Sequence, residues 1–239
     1  MDKLRRFSGI IRLYGQDKFD KFQQSHVCVI GIGGVGSWAV ESLARHGIGE
    51  ITLIDFDHIA ESNINRQIHA LESTLGASKI QVMQQRIIEI NPQIKVNCVD
   101  DFLSLENMSQ LIDSNYDFVL DAIDQVKVKI ELIKFCQINK IPVITTGGAG
   151  GRTDPSKIKL DALKNTHGDR LISKVRQYFN QNKLKSNVPT VFSAEPIKRS
   201  EGCKNDHMTS GLSCDGYGSS TNITASFALL ATAYILEHL

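Results

Sequence analysis

Paired cysteines are missing from this chain. None of its five, Cys28, Cys98, Cys136, Cys203 and Cys214, stands in C-x-x-C spacing, which excludes a zinc ribbon and a thioredoxin-like redox pair. An odd number of scattered thiols fits reduced cysteines, so a cytoplasmic protein is expected. Residues 1–8 are basic with no apolar run behind them, so no secretory leader is expected. Long apolar runs are missing as well. The most apolar stretch, 223–236, is broken by Thr224, Ser226, Thr232 and Tyr234 and falls short of the ~20 residues a span requires. It reads as a buried core helix, with no membrane partner. Nor does charge of one sign dominate: 27 Lys and Arg face 26 Asp and Glu, which argues against a generally basic coat for nucleic acid. No internal repeat is visible. With 41% hydrophobic and 22% charged residues, the composition is that of a globular protein long enough to bury one large core.

What is present is an alternation. Val27–Ile30 is a short apolar run ending in glycines, as a buried parallel strand does. A helix is expected over 36–46, closed by Gly47 and Gly49, and a second strand over 51–54. Ile80, Met83, Ile87 and Ile90 recur with helical spacing from Ser78 until Asn91-Pro92 ends them. Strands at 96–99, 118–120 and 142–146, with a helix over 126–138, complete the series. Such βαβ units fold into an α/β architecture: a doubly wound, mostly parallel Rossmann-like sheet with helices on both faces. Beyond Gly151 the pattern loosens into one amphipathic helix (Leu171, Ile172, Val175, Phe179), a candidate strand at 188–194 and a polar loop over 196–220. We expect a single domain over 1–239, with a nucleotide-binding part at 1–151 and a substrate-facing C-terminal extension at 152–239.

Gly31-Ile32-Gly33-Gly34-Val35-Gly36 follows the first strand and opens a helix. Gly31, Gly33 and Gly36 have the dinucleotide fingerprint spacing, and Gly34 adds to a cradle whose backbone N–H groups face a phosphate. Asp55 ends the second strand 19 residues after Gly36, where an acid holds a ribose. These features alone fit an NAD-dependent oxidoreductase. Asn63, Arg66, Lys79 and Asp124 go beyond what a nicotinamide site needs. Arg66 and Lys79 are charge-assisted donors for a polyphosphate. Lys79 lies in the first turn of its helix, where a cation opposes the dipole unless an anion answers it. Asp124 follows the fourth strand at the carboxyl edge of the sheet, where a carboxylate beside phosphates suits Mg2+. Together they favour ATP.

Gly31–Ser37, Asp55-Phe56-Asp57, Ser62–Gln67, Lys79 and Leu120–Asp124 resemble the ubiquitin-activating-like adenylyltransferases, the ThiF/MoeB group. Ile48–Asp55, Asn65–Leu71, Thr145–Gly151, Val191–Glu195, Arg6-Phe7 and Arg12–Gly15 resemble more particularly its branch that dehydrates threonylcarbamoyladenosine in tRNA. The resemblance implies that the glycines cradle the phosphates and Asp55 binds the ribose. It further implies that Asn63, Arg66 and Lys79 hold the triphosphate and Asp124 holds Mg2+, with Arg66, Lys79 and Asp124 carrying catalysis. A carboxylate would be adenylated, and an atom already tethered in the substrate would then close a ring. The partners implied are the anticodon stem-loop of tRNA, a second copy of the chain in a homodimer, and sulfur-relay proteins. Activation of a ubiquitin-like sulfur carrier is the alternative. Missing C-x-x-C pairs and a missing rhodanese extension weigh against it. The N-terminal arginine that sulfur-carrier activators insert into a partner's site falls near Gly9, leaving Arg6 and Arg12 as candidates. Cys203, Cys214, His69 and His207 read as ordinary thiols and imidazoles.

Charge by segment sharpens the tRNA expectation. From Arg152 to Lys204 twelve basic residues face five acids, a net +7, whereas residues 1–151 and 205–239 carry −3 each. The near-neutral total conceals a basic stretch suited to a polyanion.

Overall fold

A computed structural model describes residues 3–198 and 217–239, with side chains from residue 5. Seven strands form one sheet in the order β3-β2-β1-β4-β5-β7-β6. They are β1 (His26–Ile30), β2 (Glu50–Ile54), β3 (Lys95–Val99), β4 (Phe118–Asp121), β5 (Val143–Thr146), β6 (Ile158–Ala162) and β7 (Pro189–Ser193). All pairs are parallel except β6 with β7. The chain runs outward from β1 to β3, then returns to β4 on the other side of β1. Between β1 and β4 the order reverses, which opens a crevice at the carboxyl ends of the strands.

Helices cover both faces because the central strands are apolar on both. One face carries α1 (Lys3–Tyr14), α2 (Gln16–Gln24), α3 (Gly36–Arg45), α4 (Lys79–Ile90) and α8 (Thr221–His238). The other carries α5 (Met108–Leu111), α6 (Val126–Asn139) and α7 (Arg170–Gln181). The apolar 223–236 stretch lies inside α8. Ala228 and Ala231, both fully buried, let it approach α3 closely, and Ser42 Oγ and Thr232 Oγ1 join the two helices at 2.9 Å. Among the described residues no helix is long and apolar enough to cross a membrane.

Three features add to these expectations. Residues 3–24 form two helices that the periodicity reading passes over, anchored by buried Phe7, Phe19 and Phe22. It passes over β6 too. Ile158, Leu160 and Ala162 are more buried than the exposed Lys159 and Asp161, the alternation of an edge strand whose charges discourage further pairing. The strand at 188–194 is β7, and it pairs with β5, so the sheet continues across residue 151. Of the 196–220 loop, only its two flanks lie within the described residues. Cys203, Cys214 and His207 lie outside them, while Cys28, Cys98 and Cys136 are free thiols.

Candidate functional site

The glycine turn takes its shape from contacts a side chain would forbid. Gly31 has φ 84°, and a Cβ there would sit 3.0 Å from the Ala122 carbonyl oxygen. A Cβ on Gly36 would lie 1.8 Å from the Gly31 carbonyl oxygen, so only glycine lets α3 start this close to β1. The turn faces a cleft of about 630 Å³ at the strand-order reversal.

Asp55, at the end of β2, stitches this turn to its neighbours. Its carboxylate accepts from the backbone N–H of Ile32 at 2.5 Å and of Asp57 at 2.8 Å. Burial pushes its pKa up, opposed by the Lys79 charge and these two donors. The start of α4 is tied to the same segment: Lys79 N donates to Asp57 O at 3.1 Å and Ile59 N to Ala77 O at 2.9 Å. This register delivers the buried Lys79 ammonium to Asp57 Oδ2 at 2.6 Å. The anion that answers Lys79 within the protein is therefore Asp57, to which the sequence alone assigns no role.

Asn63 ends a short 3-10 turn (Glu61–Asn63). It is buried, and its Oδ1 accepts from Ala60 N at 3.1 Å. Three residues on, the Arg66 backbone carbonyl accepts from Trp38 Nε1 of α3 at 3.1 Å and from Thr224 Oγ1 of α8 at 3.2 Å. Its guanidinium folds over its own turn, donating to Ser62 O and, at 3.0 Å, to Asn65 Oδ1. Asp124 is exposed, on the turn between β4 and α6. Beneath it, Asp121 of β4 and Lys129 of α6 form a fully buried pair, Nζ to Oδ2 2.8 Å. Thr145 of β5 donates to Asp121 Oδ2 at 2.7 Å, and Asp121 Oδ1 accepts from Ile123 N at 3.1 Å.

Gly31, Gly33, Gly34, Asp55, Asn63, Arg66, Lys79 and Asp124 all line this cleft. Gly36 does not. Its Cα packs against the Gly31 carbonyl, which accounts for a glycine at the start of α3. Neither arginine considered for the N-terminal finger lines the cleft of its own chain. Arg6 donates to the last carbonyls of α4, Glu89 O at 3.2 Å and Ile90 O, and Arg12 is exposed. His69 is a core residue with no hydrogen-bond partner on either ring nitrogen among the described residues. Among the described residues no cluster of three His, Cys, Asp or Glu gathers as a metal site.

Sequence reasoning misses the rest of the lining. Phe56 and Phe102, both more than half exposed, meet edge to face at 5.9 Å beside Asp55. The opposite end is built by the glycine-rich 147–151 loop, Arg152, Asp169, Arg170 and Tyr217. Gly151 anchors the segments entering and leaving the long loop: Lys198 N donates to Gly151 O at 2.8 Å, and Gly151 N to Gly218 O at 2.7 Å. Glu195 fastens the same region, accepting from Thr153 N at 3.0 Å and Asp154 N at 2.9 Å. These donors hold its carboxyl well below the usual range, at about 2. The Thr145–Gly151 and Val191–Glu195 motifs are the signals in sequence for this end.

Comparison with known proteins agrees with this geometry. The ThiF family model matches residues 7–236. The tRNA threonylcarbamoyladenosine dehydratase of Haemophilus influenzae is 48% identical over 98% of this chain and 93% of its own length. That of Escherichia coli is 44% identical over 98% and 92%. The crystal structure of the Escherichia coli enzyme superposes with a TM-score of 0.89 at 43% identity, covering 98% of this chain and 93% of that one. It has also been solved with AMP and with ATP.

Proposed function

The chain belongs to the ThiF family, and from that premise we propose that it is an ATP-dependent tRNA threonylcarbamoyladenosine dehydratase. The observation that carries this reading is one cleft holding a glycine cradle, Lys79 and Arg66 at the strand-order reversal. The extent and identity of the match to the tRNA dehydratases favour this substrate over a sulfur carrier. The molybdopterin-synthase adenylyltransferase of Haemophilus influenzae is 31% identical over 73% of this chain. Two cations beside the cradle, and relatives solved with ATP and AMP, favour adenylation over hydride transfer.

A carboxylate is a poor acyl donor because its leaving group would be oxide. One oxygen of the threonylcarbamoyl carboxylate attacks the α-phosphorus of ATP, and the bond to pyrophosphate breaks. The resulting acyl-adenylate has AMP as its leaving group. A nucleophilic atom tethered in the same substrate attacks the acyl carbon, expels AMP and gives up its proton. The net change is loss of water, its oxygen leaving in AMP. The protein contributes positioning and charge neutralisation. The glycine turn offers backbone N–H groups to the phosphates, Asp55 orients the ribose, and Asn63 braces the turn that presents Arg66. Lys79 exchanges Asp57 for a phosphate oxygen. Mg2+ binds through one or two carboxylates plus phosphate oxygens. Asp124, an exposed carboxylate on the cleft wall with no partner among the described residues, fits that demand, and a Mg2+ held there would supply further neutralisation of phosphate charge.

Cytoplasmic residence, a homodimer and contact with sulfur-relay proteins complete the proposal on resemblance. The decisive experiment incubates the purified protein with ATP and tRNA carrying threonylcarbamoyladenosine, followed by nucleoside mass spectrometry. Loss of one water from that nucleoside, matched by AMP and pyrophosphate, is expected. Unchanged nucleoside, with pyrophosphate exchange that depends on a sulfur carrier, would give the reaction to the alternative.

A further inference from the structure

The end of the cleft remote from Asp55 carries more positive charge than a nucleotide accounts for. Arg152 and Arg170 both line it, but they differ in what answers them. The Arg152 side chain is 1% exposed, with Nη2 3.3 Å from Asp169 Oδ2 and 3.3 Å from Gly168 O. Its Nε has no partner among the described residues. Asp169 is committed elsewhere: Oδ1 caps α7 at Ile172 N, 3.0 Å, while Oδ2 takes Gly148 N, 3.0 Å, and Arg152. It makes no ion pair with Arg170. That arginine is exposed and occupies the first position of α7, where the helix dipole disfavours a cation. Its polar contact among the described residues is Nη1 to Tyr217 Oη at 3.0 Å. No carboxylate lies within ion-pair distance of it among the described residues.

This repeats the placement of Lys79, which is also the first residue of a helix on the cleft wall. Lys79 has Asp57. Among the described residues Arg170 has no such anion. Tyr217 accepts from Arg170, so its hydroxyl proton is directed to another acceptor. A guanidinium with donors to spare beside a phenol O–H suits a planar carboxylate, which Arg binds as a fork.

We propose that Arg170, oriented by Tyr217, is the specificity-determining residue that receives the substrate's carboxylate before adenylation, with Arg152 and Asp169 as the buried brace beneath it. This rests on the function proposed above. It implies that the cleft is divided: Phe56, Asp55 and the glycine turn take the nucleotide, while the 147–152 loop and the start of α7 take the acyl group. A tRNA phosphate offers Arg170 a similar anionic surface, and the test separates the two.

Arg170→Ala, Arg170→Lys and Tyr217→Phe are compared with the unaltered protein. Each is assayed for conversion of threonylcarbamoylated tRNA and for binding of the same tRNA lacking the threonylcarbamoyl group. Losing a charge-assisted hydrogen bond corresponds to a change of about tenfold to a hundredfold. Arg170→Ala is expected to raise KM for the modified tRNA by that factor, with KM for ATP and affinity for unmodified tRNA unchanged. Lysine restores little, because a point charge does not replace the fork, and Tyr217→Phe gives a smaller rise. Equal weakening toward both tRNAs would assign Arg170 to a phosphate and overturn the proposal, as would an unchanged KM. If the unaltered protein converts no modified tRNA, it is the function reading that fails, a different outcome from either.

Discussion

At the scale of single residues, the site is legible wherever spacing encodes geometry. Gly31, Gly33, Asp55 and Lys79 are fixed by the strand–turn–helix rhythm, and all four face the cleft. Lys79 stands out in sequence because its position is locally unfavourable, and the structure supplies the missing anion in Asp57. Replacing Lys79 with Ala should lower AMP formation on the modified tRNA by about a hundredfold or more, the scale for losing one charge-stabilising donor. Stability should change little, since Asp57 is 67% exposed and water takes over its carboxylate; thermal unfolding beside the rate checks both halves. His69 reads as an ordinary histidine and is one, but what burial does to it is invisible in sequence. Desolvation, then the nearby Lys79 and Arg86 charges, pull its pKa from 6.5 down to about 4. The unfolded chain therefore binds a proton that the folded chain refuses as pH falls from about 6.5 to about 4, and stability should decline across that window. The decline amounts to about 3 kcal/mol when complete. Urea unfolding at pH 7 and pH 5 should show it, and His69→Leu should flatten the difference.

At the scale of elements, β1 to β5 and the helices α3, α4 and α6 follow from apolar runs and helical periodicity, whereas the short α5 does not. What escapes is whatever depends on tertiary partners. α1 and α2 are held by three phenylalanines packed against the far side of the same core, and no local signal reveals that destination. β6 is a short charged edge strand whose alternation becomes meaningful only once β7 is beside it. The buried Lys129 is likewise hidden, since a lysine in a helix usually faces water. Here it joins α6 to the ends of β4 and β5 through Asp121 and Thr145. Lys129→Met leaves the fully buried Asp121 without its cation, which should cost about 3–5 kcal/mol. Adding Asp121→Asn should recover much of that loss. The midpoints of urea unfolding for the two variants decide it. Because Asp121 also holds the Ile123 N–H, the single variant should loosen the turn that carries Asp124 and, with Asp124 in its proposed role, raise the Mg2+ concentration needed for half-maximal turnover.

At the scale of the whole molecule, the near-zero net charge is a partition. The basic excess between Arg152 and Lys204 lies partly on exposed Lys157, Lys159 and Lys164 around the β6 edge and on Lys174, Lys183 and Lys185 in and after α7. These elements belong to the part of the chain that closes the 147–152 end of the cleft, the proposed acyl end, so a tRNA delivering its modified adenosine there would meet them as it docks. An anticodon loop presents an unstacked base, while the adjoining stem is gripped through phosphates. The basic residues should therefore govern affinity for tRNA without governing which nucleoside reacts. Changing Lys157, Lys159 and Lys164 together to Gln should weaken binding of modified and unmodified tRNA alike. It should also make the dependence of log Kd on log salt shallower by roughly 0.7–0.9 for each phosphate that is no longer neutralised. The rate at saturating tRNA should stay unchanged, because none of the three lines the cleft. An unaltered salt slope in a filter-binding titration would move the tRNA footprint to another face of the protein. A weakening confined to modified tRNA would place these lysines at the acyl group instead.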